Sequence, residues 1–125
     1  LMRKDDPLAQ LEAISPENLQ KIPIICSRQA LIQNELSGWL GKPFESLDII
    51  GTYNLIYNAS IMTEEGLGYA LCIDKLLELS ENSSLCFRPF EPAIKAELFI
   101  AWKKYQIFSP AAEVFLQRLH QAFDV

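Results

Sequence analysis

The chain has 125 residues, half of them hydrophobic and 22% charged, which suits one domain with its own core and excludes a disordered chain. Sixteen acidic against eleven basic residues leave a net charge of −5, so this segment lacks the cationic surface that gives nucleic-acid affinity by displacing counterions. Apolar runs such as Phe99-Ile100-Ala101-Trp102 are far too short to cross a bilayer, and no membrane contact is expected.

The start, Leu1-Met2-Arg3-Lys4-Asp5-Asp6, carries no apolar leader. A leucine ahead of a methionine is not a native initiation, so the chain is expected to be a segment of a larger protein. Ser15-Pro16-Glu17-Asn18-Leu19 opens a short helix, with serine as N-cap and proline at the first helical position. Ile22 to Cys26 then reads as a short buried strand, with Pro23 near its start. Ser27 is a second cap, followed by a helix with Ile32, Leu36, Trp39 and Leu40 on one face and Gly41-Lys42-Pro43 as its stop.

The pattern repeats downstream. Leu47 to Ile50 is expected as a strand, Gly51-Thr52-Tyr53-Asn54 as a turn, and Leu55, Ala59 and Met62 as one helix face ended by Gly66. Tyr69 to Ile73, Leu85 to Arg88 and Glu97 to Trp102 read as further strands. A last helix opens at Ser109-Pro110 and places Ala112, Phe115, Leu116, Leu119 and Phe123 on one face. Strands alternating with helices predict an α/β fold, a mostly parallel sheet flanked by helices. The three cysteines, Cys26, Cys72 and Cys86, lie far apart in apolar runs, as expected for reduced thiols in a cytoplasmic protein.

The last helix sets a demand. Burying Phe115, Leu116, Leu119 and Phe123 is worth about 2 kcal/mol each, roughly 8 kcal/mol together, comparable to the net stability of a small domain. That face is expected to pack on this domain, on a second copy, or on another part of a parent protein.

Little in the chain suggests catalysis or a bound cofactor. The sole histidine, His120, has no neighbouring Cys, Asp or His at metal-ligand spacing, so no metal site is expected. Glu64 and Glu65 are adjacent on a helix and point about 100° apart, which suits solvated charges better than a carboxylate pair. Gly66-Leu67-Gly68 lacks the third glycine of a dinucleotide fingerprint and follows a helix instead of opening one. One histidine cannot build a Ser-His-Asp or Cys-His arrangement with residues seen here.

Two strand-to-helix turns carry clustered polar groups, Ser27-Arg28-Gln29 and Thr52-Tyr53-Asn54. In open α/β sheets ligands settle at the carboxyl ends of strands, where helix N-termini present N–H groups. There Ser27, Thr52 and Asn54 can offer hydroxyl or amide groups, and Arg28 can pair a carboxylate. The other reading makes Ser27 and Asn54 ordinary caps and Arg28 a surface charge.

Several stretches together resemble the effector domain of LysR-type transcriptional regulators. Asp6-Pro7-Leu8-Ala9, Ser15 to Leu19 and Ile22-Pro23-Ile24-Ile25 are similar to the start of its second subdomain. Tyr53-Asn54-Leu55-Ile56-Tyr57-Asn58-Ala59, leading into Glu65-Gly66-Leu67-Gly68-Tyr69-Ala70-Leu71, resembles its helix and Gly-Leu-Gly strand entry. Phe87-Arg88-Pro89-Phe90 and Leu98 to Lys104 resemble its last strands, and Phe108-Ser109-Pro110-Ala111-Ala112 through Leu116 its closing helix. Each motif is weak alone; their order and spacing, from about Met2 to Phe123, are specific.

The resemblance implies a fold like type 2 periplasmic binding proteins, two α/β subdomains with the effector in the cleft between them. Residues 2–95 would form the second subdomain, and residues 96–125 the return strand and a terminal helix that belongs with the first. DNA would be contacted only through an N-terminal domain outside this chain. The partners implied are a small, plausibly anionic effector and another copy, met through Phe115, Leu116, Leu119 and Phe123. The resemblance puts effector contacts at Ser27, Arg28, Gln29, Thr52, Tyr53 and Asn54. At Thr63, Glu64 and Glu65 this chain is more polar than the family pattern, which suits an exposed helix face. Trp102 is expected in the core or at the hinge. An exported solute-binding receptor shares the fold and is the alternative; an enzyme would need a titratable cluster.

Overall fold

The computed structural model describes residues 1–29, 35–95 and 99–123. In chain order these hold β1 (Met2–Arg3), α1 (Pro16–Leu19), β2 (Ile24–Ser27), α2 (Glu35–Leu40), β3 (Ile49–Tyr53), α3 (Ile56–Glu64), β4 (Tyr69–Ala70), β5 (Leu85–Cys86) and α4 (Pro110–Phe123). Two 3-10 turns, Pro7–Gln10 and Phe44–Ser46, join them.

The centre of the molecule is β2. Ile24, Ile25 and Cys26 are fully buried, as expected for a short β-branched run covered on both faces. β3 and β4 pair with it in parallel on either side, giving the order β3-β2-β4. One face of β2 carries Ile24 and Cys26 into a core with Leu19, Leu40, Phe44 and Leu47. The other carries Ile25 into a core with Tyr53, Ala59, Ala70 and Leu85. The expected α/β character and parallel pairing are therefore present.

A separate antiparallel pair, β1 with β5, adds an element that the sequence reading missed. The register is Met2 with Cys86 and Arg3 with Leu85. Arg88, expected at the end of this strand, lies beyond β5 and clasps backbone oxygens of Ala9 and Leu11 at 2.5 and 2.7 Å. It thereby staples the first 3-10 turn to the segment after β5.

The strand predicted over Leu47 to Ile50 is displaced toward its carboxyl end. Leu47 closes the Phe44–Ser46 turn, its N–H donating to the Phe44 carbonyl at 3.1 Å, so pairing starts only at Ile49. It then runs through Gly51 and Thr52 to Tyr53, residues expected in a turn. The register jumps from Ile24 opposite Ile49 to Ile25 opposite Gly51, so Ile50 is the extra residue of a bulge. This shift sets Thr52 opposite Cys26 and Tyr53 opposite Ser27.

Helix α3 begins one residue later than expected. Leu55 is its N-cap and is 65% exposed, while the buried positions are Ala59, Ser60 and Thr63. Thr63 is thus a core residue and not part of an exposed face; Glu64 and Glu65 are exposed. The helix ends in a Schellman arrangement: Leu67 N–H donates to the Met62 carbonyl and Gly66 N–H to the Thr63 carbonyl, both at 3.0 Å. Gly66 sits at φ +78°, the left-handed conformation that this ending requires. Helix α2 likewise stops at Gly41, with φ +63°; Ile32, expected on its face, lies outside the described residues.

The carboxyl-terminal part behaves differently. Glu97 and Leu98 lie outside the described residues, and Phe99 to Trp102 carry no strand. Phe99 is 82% exposed, and Trp102 is half exposed with its ring edge toward His120, so Trp102 is not a core residue. Helix α4 forms where the sequence places it, with the Ser109 hydroxyl accepting from the Ala112 amide. No α4 residue is buried; Leu116 and Leu119 are half buried, and Phe115 and Phe123 are exposed. The roughly 8 kcal/mol available from that face is therefore not collected within the described structure.

Candidate functional site

Parallel pairing brings the two polar turns to one end of the sheet. Ser27 and Tyr53 are direct partners at the last residues of β2 and β3, one strand spacing of about 4.8 Å apart. Arg28 N–H donates to the Tyr53 carbonyl at 3.2 Å, carrying the strand pairing one residue past β2. The Ser27 hydroxyl accepts from the Gln29 amide at 3.2 Å, a tight turn that folds Arg28 and Gln29 over the strand end. Arg28, Gln29, Thr52 and Asn54 are exposed and Ser27 is partly so.

The start of α3 adjoins this end. Its N-cap is Leu55, which has no capping oxygen, and neither Thr52 nor Asn54 serves in its place. The first amides of α3 are consequently unclaimed by a side-chain cap, and the Asn58 N–H turns back to the Leu55 carbonyl at 3.1 Å. The sequence reading assigned capping to Asn54 as its plain role; the structure leaves that amide available. Exposed Leu55 and Tyr57 border the same end, and the sequence reading missed both because it placed Leu55 on the buried face.

Tyr53 plays a different part from its neighbours. Its ring is buried in the core beside Ile25, and its hydroxyl donates to the Leu71 carbonyl at 2.6 Å. Burial, reinforced by the nearby Cys72 and Cys26 thiols, pushes its phenol well above the ordinary range. Tyr53 thus locks β3 to the chain beyond β4, and only its backbone lies at the polar shelf.

The opposite, amino end of the sheet holds a cavity of about 250 Å³ between β1, the end of α3 and the start of β4. Arg3, Asp6, Pro23, Thr63, Gly66, Gly68 and Tyr69 belong to its wall. The Tyr69 hydroxyl donates to Asp6 at 2.5 Å, and burial followed by this carboxylate pushes the phenol up to about 12. The Thr63 hydroxyl is buried with no partner among the described residues, a cost of about 1–3 kcal/mol. No sequence signal announced this cavity, because Arg3 and Tyr69 are brought together only by the fold.

Among the described residues no group of His, Cys, Asp and Glu could hold a metal ion, and no helix is long and apolar enough to cross a membrane. Cys26, Cys72 and Cys86 are unbridged, and burial raises the Cys26 thiol.

Parallel strands that end in exposed polar turns beside an uncapped helix start have the arrangement at which open α/β sheets bind ligands. The family model described as LysR substrate binding domain matches residues 1–124, and the chain belongs to that family. Its members are regulatory, ligand-sensing domains of periplasmic-binding-protein-like α/β fold. Comparison with curated proteins and with solved structures returned no match.

Proposed function

We propose that this chain supplies one wall of the effector cleft of a cytoplasmic LysR-type transcriptional regulator and acts as a sensor, not as a catalyst. In this reading residues 2–95 form the second effector subdomain, and residues 96–125 return toward the first. A small polar or anionic metabolite is held by Ser27, Arg28, Gln29, Thr52 and Asn54, with Tyr53 fixing the backbone beneath it. Arg28 meets a carboxylate or similar anion, and the first amides of α3 add N–H donors that favour negative charge. DNA is contacted by another domain of the parent, in keeping with the net charge of −5 here.

The observation that carries the proposal is the parallel register of Ser27 with Tyr53 and of Cys26 with Thr52, which sets both polar turns on one sheet end. Bridging two subdomains, the effector would favour one cleft geometry, and a coupling of about 1–3 kcal/mol suffices to reset an oligomer on DNA. The apolar face of α4, with Phe115, Leu116, Leu119 and Phe123, is covered by the first subdomain or by a second copy. This isolated wall then binds effector weakly, since half of the contacts lie elsewhere.

The test is a thermal-shift screen of small metabolites on the chain and on a parent protein that includes the first subdomain. The proposal expects saturable stabilisation of the parent that is lost in Arg28→Gln and Asn54→Ala, with little shift for the chain alone. Hits on the parent that survive both substitutions at full strength would contradict it. For α4, sedimentation of the chain is expected to show association that Phe115→Ser weakens; a strict monomer at high concentration speaks against it.

A further inference from the structure

We propose that the cavity at the amino end of the sheet is a second binding site, for a small primary amine that carries an oxygen at its other end, such as an amino alcohol or amino acid. The site lies at the opposite end of the strands from the polar shelf, and the inference stands whether or not the shelf binds an effector.

Charge at the wall decides the ligand class. Arg3 is the cation there, and it is already held by Asp5, with contacts at 2.8 Å from Nε and 2.5 Å from Nη2. Arg3 also feels Asp6 and Glu64, so this one cation is shared among several acids and the wall keeps a net negative charge at Asp6. Asp6 accepts from the Leu8 amide at 2.8 Å and from the Tyr69 hydroxyl at 2.5 Å, one hydrogen bond to each oxygen. A carboxylate has about four acceptor positions, so each oxygen keeps room for an ammonium proton. The end of α3 also adjoins the cavity through Thr63 and Gly66, and helix carboxyl ends favour positive charge.

One further group calls for an oxygen on the ligand. Arg3 Nη1 makes only a long contact of 3.5 Å to the Glu64 carbonyl and lies 3.7 Å from where a Cβ of Gly66 would stand. Nη1 carries two hydrogens and makes this one long bond, so a donor is left over beside the cavity. Thr63 borders the cavity, but its hydroxyl oxygen is sealed from solvent and backs the wall without reaching a ligand. Gly68 lies tight against Pro23 at this wall: a Cβ there would meet the Pro23 carbonyl oxygen at 2.7 Å. At about 250 Å³ the cavity holds a molecule of a few heavy atoms, or several waters.

Titration of the 15N-labelled chain with glycine, ethanolamine, methylammonium and acetate tests the idea by amide shifts. Saturable movement of Gly66, Gly68 and Tyr69 is expected with glycine or ethanolamine, and whichever of the two binds more tightly tells amino acid from amino alcohol. Methylammonium should bind about tenfold more weakly, and acetate should leave these amides in place. Asp6→Asn, which keeps an oxygen for the Leu8 amide, should weaken the amines about tenfold; Arg3→Gln should weaken glycine and spare methylammonium. Circular dichroism verifies that both variants fold. Amides that stay still with all four probes would overturn the proposal, as would acetate matching the amines.

Discussion

The two ends of one small sheet are built by opposite rules. At the carboxyl end β3 leads into the start of α3, and the polar groups left over are the first amides of α3, Arg28, Gln29 and the side chains of Thr52 and Asn54. At the amino end α3 finishes, and its last carbonyls are closed by the Gly66 and Leu67 amides. Parallel strands enforce this asymmetry, since each helix must run back against the strands it joins. One end is therefore rich in donors, and at the other Tyr69 clasps Asp6 beside a cavity that opens to solvent.

β2 spans both ends, so removing its central side chain should damage both together. Ile25→Ala empties a fully buried site between Ala59 and Ala70 and is expected to cost about 2–5 kcal/mol in chemical denaturation. A loss below 1 kcal/mol would mean that the two ends do not share this core.

A smaller effect should separate them. Gly68→Ala would drive a methyl against the Pro23 carbonyl oxygen, where Tyr69 N–H must bond at 2.9 Å, and should cost about 1–3 kcal/mol. Amide exchange is expected to quicken at Tyr69 and Ala70 while Ser27 and Tyr53 keep their protection. Equal loosening at both ends would break the contrast.

The smallest effect is a pH dependence. Tyr69 ionises near 10 when unfolded and near 12 when folded, so the fold favours its neutral form. Its contribution is complete below pH 10 and is lost as pH rises through 12. Cys26, Cys72 and Tyr53 are shifted in the same sense by burial, so comparison with Tyr69→Phe isolates the amino end. The variant should lose less stability than the wild type between pH 10 and 12; identical slopes would remove Tyr69 from the account.

Much of the carboxyl end was legible in the residues because local sequence makes it. Ser27 to Gln29 turn on a short-range hydroxyl bond, and β2 announces itself by three buried apolar residues in a row. The bulge at Ile50 was not legible, since it depends on where the Phe44–Ser46 turn releases the chain. Tyr53 looked like a ligand group; only the position of the Leu71 carbonyl reveals that its hydroxyl is occupied. The cavity was invisible for the same reason, with Arg3 and Thr63 sixty positions apart in sequence. The apolar pattern of α4 predicted its helix and failed to predict burial, because a stripe specifies that a face needs cover and not what supplies it.

The most direct measurement of the central claim maps a stabilising metabolite onto the chain by amide shifts, in the parent protein that binds it. The account predicts that the largest changes fall on Ser27 to Gln29 and Thr52 to Tyr57, with Asn54→Ala abolishing them. Changes centred elsewhere, with those amides unmoved at saturation, would contradict it.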